Sequence, residues 1–168
     1  MRKLLIALAA GLLLSLGASH PAGATQPTSG TLVNIVDPAT FSPTPSTVGG
    51  SGIISGQYTV GGHFSGDITG MYTEAGKTMF RPDMSMSVQA SGTCTPCAVG
   101  DRTGIVSYHV AGTGTWMQVP PPFNILPASL TAHIEGSGSG GLSGLQFQGT
   151  CSEQGGLVVC TIRYHFDP

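Results

Sequence analysis

Apolar and polar residues alternate along the last 25 residues of the chain on either side of a Gly-Gly pair, and that period of two constrains the fold more than any other feature. In residues 142–152, Leu145, Phe147, Gly149 and Cys151 fall on one face. In residues 157–166, Val158, Cys160, Ile162, Tyr164 and Phe166 do the same. A pleated strand sends successive side chains to opposite faces, so both segments read as strands with one buried side. Gly155-Gly156 suits the two-residue turn that joins such strands. Counting back from that turn sets Cys151 opposite Cys160. The pair flanking a two-residue turn is hydrogen-bonded and the pairs then alternate, so the two cysteines form a non-hydrogen-bonded pair with Cα atoms about 4.5 Å apart. A disulfide spans that distance. Closing so short a loop contributes roughly 2–3 kcal/mol in the loop-entropy picture.

The same alternation continues upstream. Strands are expected at 31–37, 52–60, 63–73, 78–90, 103–112 and 128–135, giving about eight in all. In 63–73, Phe64, Ile68 and Tyr72 share one face, and His63, Ser65, Asp67, Thr69 and Met71 share the other. Met84, Met86, Val88 and Ala90 share a face, as do Leu130, Ala132 and Ile134. Gly61-Gly62 and the stretch Glu74-Ala75-Gly76-Lys77 read as turns, 38–50 as a loop, 115–119 as a brief pairing and 136–141 as a flexible link. Pro120, Pro121 and Pro122 are expected to be irregular, since proline cannot donate to a ladder. With 26 glycines and no capped helical period, long helices are excluded. The expected fold is all-β, an antiparallel barrel of about eight strands. A sandwich is the alternative. Scattered strand glycines favour the barrel, where strong coiling needs bends and close backbone approach.

Residues 1–24 read as an export signal: Arg2 and Lys3 precede an apolar run, and Ala22-Gly23-Ala24 offers small residues for cleavage after Ala24. The run is short of the ~20 apolar residues that span a bilayer, so no membrane span is expected after its removal. Residues 25–168 then form one domain, secreted or periplasmic. It keeps Lys77, Arg81, Arg102 and Arg163 against eight acids, a formal charge of −4 (4 minus 8). Without a basic patch, nucleic acid is excluded as a partner.

All four cysteines lie in this domain, which in an exported chain points to two disulfides. With Cys151 and Cys160 paired, Cys94 and Cys97 remain. A structural disulfide across a loop tip is the leading reading of Cys94-Thr95-Pro96-Cys97. A redox-active pair and a four-cysteine zinc site stay open, the first wanting a helix N-terminus and the second a convergence of both pairs.

No nucleophile elbow, phosphate loop, zinc-protease motif or dinucleotide fingerprint occurs, so no catalytic residue, metal or cofactor is assigned. The carboxylates are scattered singly. His63 and Asp67 share a strand face, His133 adjoins Glu135 at two-residue spacing, and His109 faces the same way as Ser107. Such imidazole–carboxylate couples orient a base or a ligand, and His63, Asp67 and His109 are the candidate binding residues, set against an ordinary solvated outer face. Trp116, Tyr108, Phe123 and Phe147 line either a pocket mouth or the core. Met79, Met84 and Met86 fill either the core or an adaptable apolar cavity.

The stretch Phe41-Ser42-Pro43-Thr44-Pro45, then Ser55-Gly56-Gln57-Tyr58, then Gly66-Asp67-Ile68-Thr69-Gly70 resembles bacterial proteins of the allene oxide cyclase barrel-like group. So do Gly138-Ser139-Gly140-Gly141-Leu142-Ser143-Gly144-Leu145 and Gly149-Thr150. The resemblance covers most of 31–166 and implies an eight-stranded barrel with an apolar interior cavity. Members include fatty-acid epoxide cyclases, natural-product cyclases and dirigent proteins, as well as proteins of unknown role. None of the enzymes' catalytic residues has a counterpart here, and the disulfides and export signal depart from the plant enzymes. Three functions follow as expectations: an exported barrel that binds a small apolar molecule or serves a structural role without catalysis; a cyclase or isomerase that shapes a reactive substrate; and, more weakly, a metal- or redox-linked periplasmic factor.

Overall fold

The computed structural model describes residues 26–44, 47–118 and 125–168. The export signal read at 1–24, the prolines at 120–122 and Phe123 lie outside the described residues. The strands are β1 (Thr28–Pro43), β2 (Thr47–Val48), β3 (Ile54–Gly66), β4 (Ile68–Phe80), β5 (Ser85–Val99), β6 (Arg102–Gln118), β7 (Ile125–Ser139), β8 (Leu145–Gln154) and β9 (Leu157–Phe166). All pairings are antiparallel. Two-residue β2 lies beside β3, and the other eight close on themselves because β1 pairs with both β9 and β3. The ring is barrel-like but not evenly round one axis. Among the described residues only Gly140–Leu142 forms a helical turn, of the 3-10 kind, and no helix is long and apolar enough to cross a membrane.

Closure is staggered. Leu32 pairs directly with Gly66. Followed the other way round, the ladder runs from Leu32 through Cys160, Cys151, Ala132, Gly112, Val88 and Thr78 to Gly56. The ring therefore closes with a shift of ten residues (66 minus 56), which tilts the strands steeply and sets the interior width. The seam is pinned at Asp67: its N–H donates to Thr31 O (2.8 Å), and its carboxylate accepts the Thr31 N–H (2.7 Å).

Apart from Met84, the face assignments made from alternation hold. Phe64, Ile68, Tyr72, Met86, Val88, Ala90, Val106, Tyr108, Ala132, Ile134, Leu145, Phe147 and Ile162 are buried, while His63, Ser65, Asp67, Thr69 and Met71 are exposed. One contiguous core fills the end of the barrel nearest the β3–β4, β5–β6 and β7–β8 turns, with Leu32, Ile68, Leu142, Leu145 and Ile162 fully buried. Each such side chain contributes about 1.5–3 kcal/mol by leaving water. Toward the other end Met86, Val88 and Ala90 of β5 are still buried, but the inward side chains Tyr58, Thr78, Phe80, Val110, Trp116 and Leu130 are only half-buried.

Several turns lie elsewhere than expected. Gly61-Gly62 is not a turn but the middle of β3, and the chain reverses at Gly66 (φ +113°) and Asp67. Glu74 to Lys77 sits inside β4, whose turn into β5 lies at 81–84 with Met84 at φ +67°. Met84 is thereby exposed and Met79 points outward, so of the three methionines only Met86 enters the interior. The expected loop at 38–50 is strand as far as Pro43, and the link at 136–141 is strand as far as Ser139. Both disulfides form as paired from the sequence, Cys94–Cys97 and Cys151–Cys160, the latter with Cα atoms 3.9 Å apart. No described cysteine is free, which removes the zinc alternative. Cys94–Cys97 does not cross a loop tip. It bridges a bulge inside β5, opposite Val106 and Gly104 of β6.

Candidate functional site

β4 carries its inward residues at even positions, so Glu74 follows Tyr72 into the barrel. It is paired with Val60 on β3 and Gly92 on β5. Two glycines then decide what reaches it. Tyr58 lies opposite Gly76, and its ring covers the place where a Cβ would stand. Tyr108 lies opposite Gly92, and its ring crosses that glycine in the same way. An aromatic ring laid over a cross-strand glycine recovers the contacts the glycine lacks. Here it also steers two phenols onto one carboxylate. Tyr58 Oη donates to Glu74 Oε1 at 2.9 Å, and Tyr108 Oη donates to Glu74 Oε2 at 3.2 Å.

A third phenol completes the cluster. Tyr72 crosses Gly62 and donates to Asn34 Oδ1 of β1 at 2.6 Å. Its ring stacks on Phe64 with centroids 4.7 Å apart, and Phe64 meets Tyr108 edge-on at 5.2 Å. The carboxylate thus rests on a packed aromatic floor at the upper margin of the core. Tyr72 and Tyr108 below are buried, whereas Glu74 and Tyr58 are half-buried.

The electrostatics follow from that setting. Burial pushes the Glu74 carboxyl above its ordinary value, and the hydrogen bonds from Tyr58 and Tyr108 pull part of the way back. Burial, followed by the Glu74 charge, drives all three phenols above the ordinary tyrosine value, so they remain protonated donors. A carboxylate has about four lone-pair directions, and the two phenols occupy two of them. The site offers a concentrated acceptor in apolar surroundings. A carboxyl so placed also suits proton transfer.

The residues singled out from the sequence lie on the outside. His63 is exposed on β3 between Ile35 and Met71. Asp67 does not orient it, because its carboxylate is taken by Thr31. His109 is exposed on β6, with Nδ1 3.1 Å from Ser91 Oγ and Glu135 opposite it on β7. It lines a shallow outer groove of about 760 Å³ with Ser107, Glu135, Gln146, Gln148 and Arg163. Among the described residues no group of His, Cys, Asp or Glu is arranged to hold a metal ion. Of the four aromatics, Tyr108 and Phe147 are buried, while Trp116 packs on Phe80 toward the half-buried end and donates Nε1–H to Arg81 O at 3.0 Å. Glu74 escaped the sequence reading because Glu-Ala-Gly-Lys resembles a turn. Its signal was there in parity, two residues beyond inward Tyr72.

No family model matches the chain, and no curated protein matches it. Among solved structures it is similar to a protein of unknown function from the DUF3224 family of Shewanella oneidensis, at 17% identity over 85% of this chain and 99% of that one, with a TM-score of 0.66. Proteins of unknown function from Rhodopseudomonas palustris and Clostridium acetobutylicum align at 15% and 12% identity over 84% of this chain and 99% and 98% of theirs, each with a TM-score of 0.49. What the first of these likenesses establishes is the fold alone, which this chain shares with that protein.

Proposed function

We propose that this chain is an exported, disulfide-stapled barrel of the allene oxide cyclase-like kind that binds a small, mainly apolar molecule at its half-buried end, without transforming it. The observation that carries this reading is the Glu74 carboxylate, each of whose oxygens accepts a phenol hydrogen bond inside a mainly apolar interior. Binding pockets combine apolar walls with a few placed polar groups that fix orientation. The packed core supplies the floor, Tyr58, Phe80, Val110 and Leu130 supply the walls, and Glu74 supplies the anchor. Two disulfides suit a location outside the reducing cytosol.

Titration with the fluorophore N-phenyl-1-naphthylamine tests the reading. Saturable, blue-shifted emission at one site per chain is expected. Thr78→Trp, at a half-buried inward position beside Glu74, abolishes that signal while leaving the circular dichroism spectrum unchanged. A wild-type protein that gives no emission change removes the reading. The second reading, a cyclase or isomerase, is favoured by one feature: a carboxyl raised by burial and held by phenols is poised to move a proton. Turnover of a bound epoxide or polyene, lost in Glu74→Gln, would put it first.

A further inference from the structure

We infer that the ligand is a cation, a protonated amine on an apolar body, whose ammonium group is held by Glu74 within the ring of Tyr58, Tyr72 and Tyr108. This rests on the interior-binding reading above and names the chemistry of its ligand. Three observations carry it.

The first is a charge without a counter-charge. Among the described residues no Lys, Arg or His donates to Glu74; its partners are two neutral phenols. The cations are engaged or placed elsewhere. Lys77 is exposed on the outer face of β4, Arg81 Nη2 lies 3.4 Å from Ser87 Oγ, Arg102 stacks 4.1 Å over the Phe166 ring, and Arg163 is exposed on β9. A carboxylate withdrawn from water is costly unless it is paired. A ligand that brings the missing positive charge is preferred over a neutral one, and an anionic one is rejected.

The second is the aromatic surround. Tyr72, Tyr108 and Phe64 have ring centroids within 4.7–6.3 Å of one another, and Tyr58 approaches from the opposite side of Glu74 on β3. Ring quadrupoles attract an ammonium group, so the aromatic surround and the carboxylate select the same sign of charge. The third is space. Toward the half-buried end the inward positions beyond Glu74 carry the small side chains of Thr78 and Ala90, and the phenols of Tyr58 and Tyr108 take only two of the carboxylate's about four acceptor directions.

Octylamine, 1-octanol and octanoate share one chain and differ in charge, so competition against bound N-phenyl-1-naphthylamine reads the preference directly. At neutral pH octylamine is expected to displace the probe at least tenfold more effectively than 1-octanol, with octanoate weakest. Glu74→Gln, in protein of unchanged circular dichroism, collapses the order to that of chain length alone. A pH series gives a second measurement that needs no variant. The groups facing Glu74 are Tyr58 from β3, Tyr108 from β6 and Tyr72 from its own strand, and all three remain protonated. Octylamine stays charged, so its advantage falls only as acid protonates Glu74. If the probe binds and octylamine and 1-octanol compete equally, the cation inference is overturned and the apolar-binding reading stands. If the probe does not bind at all, both fall.

Discussion

The two ends of the barrel are built from the same alternating strands and differ in what the inward positions carry. At one end Leu32, Ile68, Leu142, Leu145 and Ile162 interlock with no exposed surface. At the other, Tyr58, Glu74, Thr78 and Trp116 point inward yet remain half-buried. The boundary is the layer in which Glu74 faces Val60 and Gly92 across the ladder. Backbone geometry is therefore indifferent to function here. Below that layer the fully buried aliphatic side chains are concentrated, above it half-buried ones face inward, and the aromatic–glycine pairs are the joint between them.

That division is most easily broken from below. Leu145→Ala removes a fully buried side chain from a dense core and is expected to cost about 2–5 kcal/mol in urea unfolding, against less than about 1 kcal/mol for Thr78→Ala above the boundary. Equal losses at the two sites would erase the contrast. A smaller effect is expected at the joint itself. In Gly92→Ala the new Cβ collides with the Tyr108 ring, so the phenol must leave Glu74. A loss of about 1–3 kcal/mol, typical of overpacking, should accompany a changed tyrosine ultraviolet difference spectrum. An unperturbed spectrum would detach the glycine from the site.

The smallest effect carries a sign. Because burial raises Glu74, the folded state binds its proton more tightly than the unfolded state does. That contribution to stability is fully present below the ordinary carboxylate range and is lost as pH rises through the raised value. Glu74→Gln lacks this dependence. Its stability relative to the wild type should therefore climb from acid pH to neutrality. A fall over the same range, followed by thermal unfolding, would mean that the phenol hydrogen bonds outweigh burial.

Much of this was legible before any coordinates. Parity alone put Phe64, Ile68 and Tyr72 on one face and Leu130, Ala132 and Ile134 inward, while leaving Tyr108 between core and pocket mouth, and the Gly155-Gly156 turn fixed the Cys151–Cys160 pair. The turns were less legible because glycine has two uses in this chain. Gly66 occupies a reversal at positive φ, but Gly62, Gly76 and Gly92 lie in extended strands as seats for aromatic rings. Residue identity does not separate those uses. The tyrosine opposite it on the neighbouring strand does, and it becomes visible only once the register is known. The same ambiguity turned Glu74 into a turn residue and left the exposed imidazoles of His63 and His109 as the more conspicuous polar groups.

The double partnership of β1 also governs how the molecule comes into being. Leu32 meets Cys160, 128 residues further along (160 minus 32), while every other neighbouring pair in the ring is joined by a short connection. Hairpins from β1 to β9 can assemble as each is completed, β1 on β3 included, but the seam between the first long strand and the last closes only when both exist. Contacts of such sequence separation slow folding, because chain entropy is lost well before the pairing rewards it. Until then β1 and β9 present two bare margins to other chains, so the interval before that seam closes is the period of greatest exposure to misassembly.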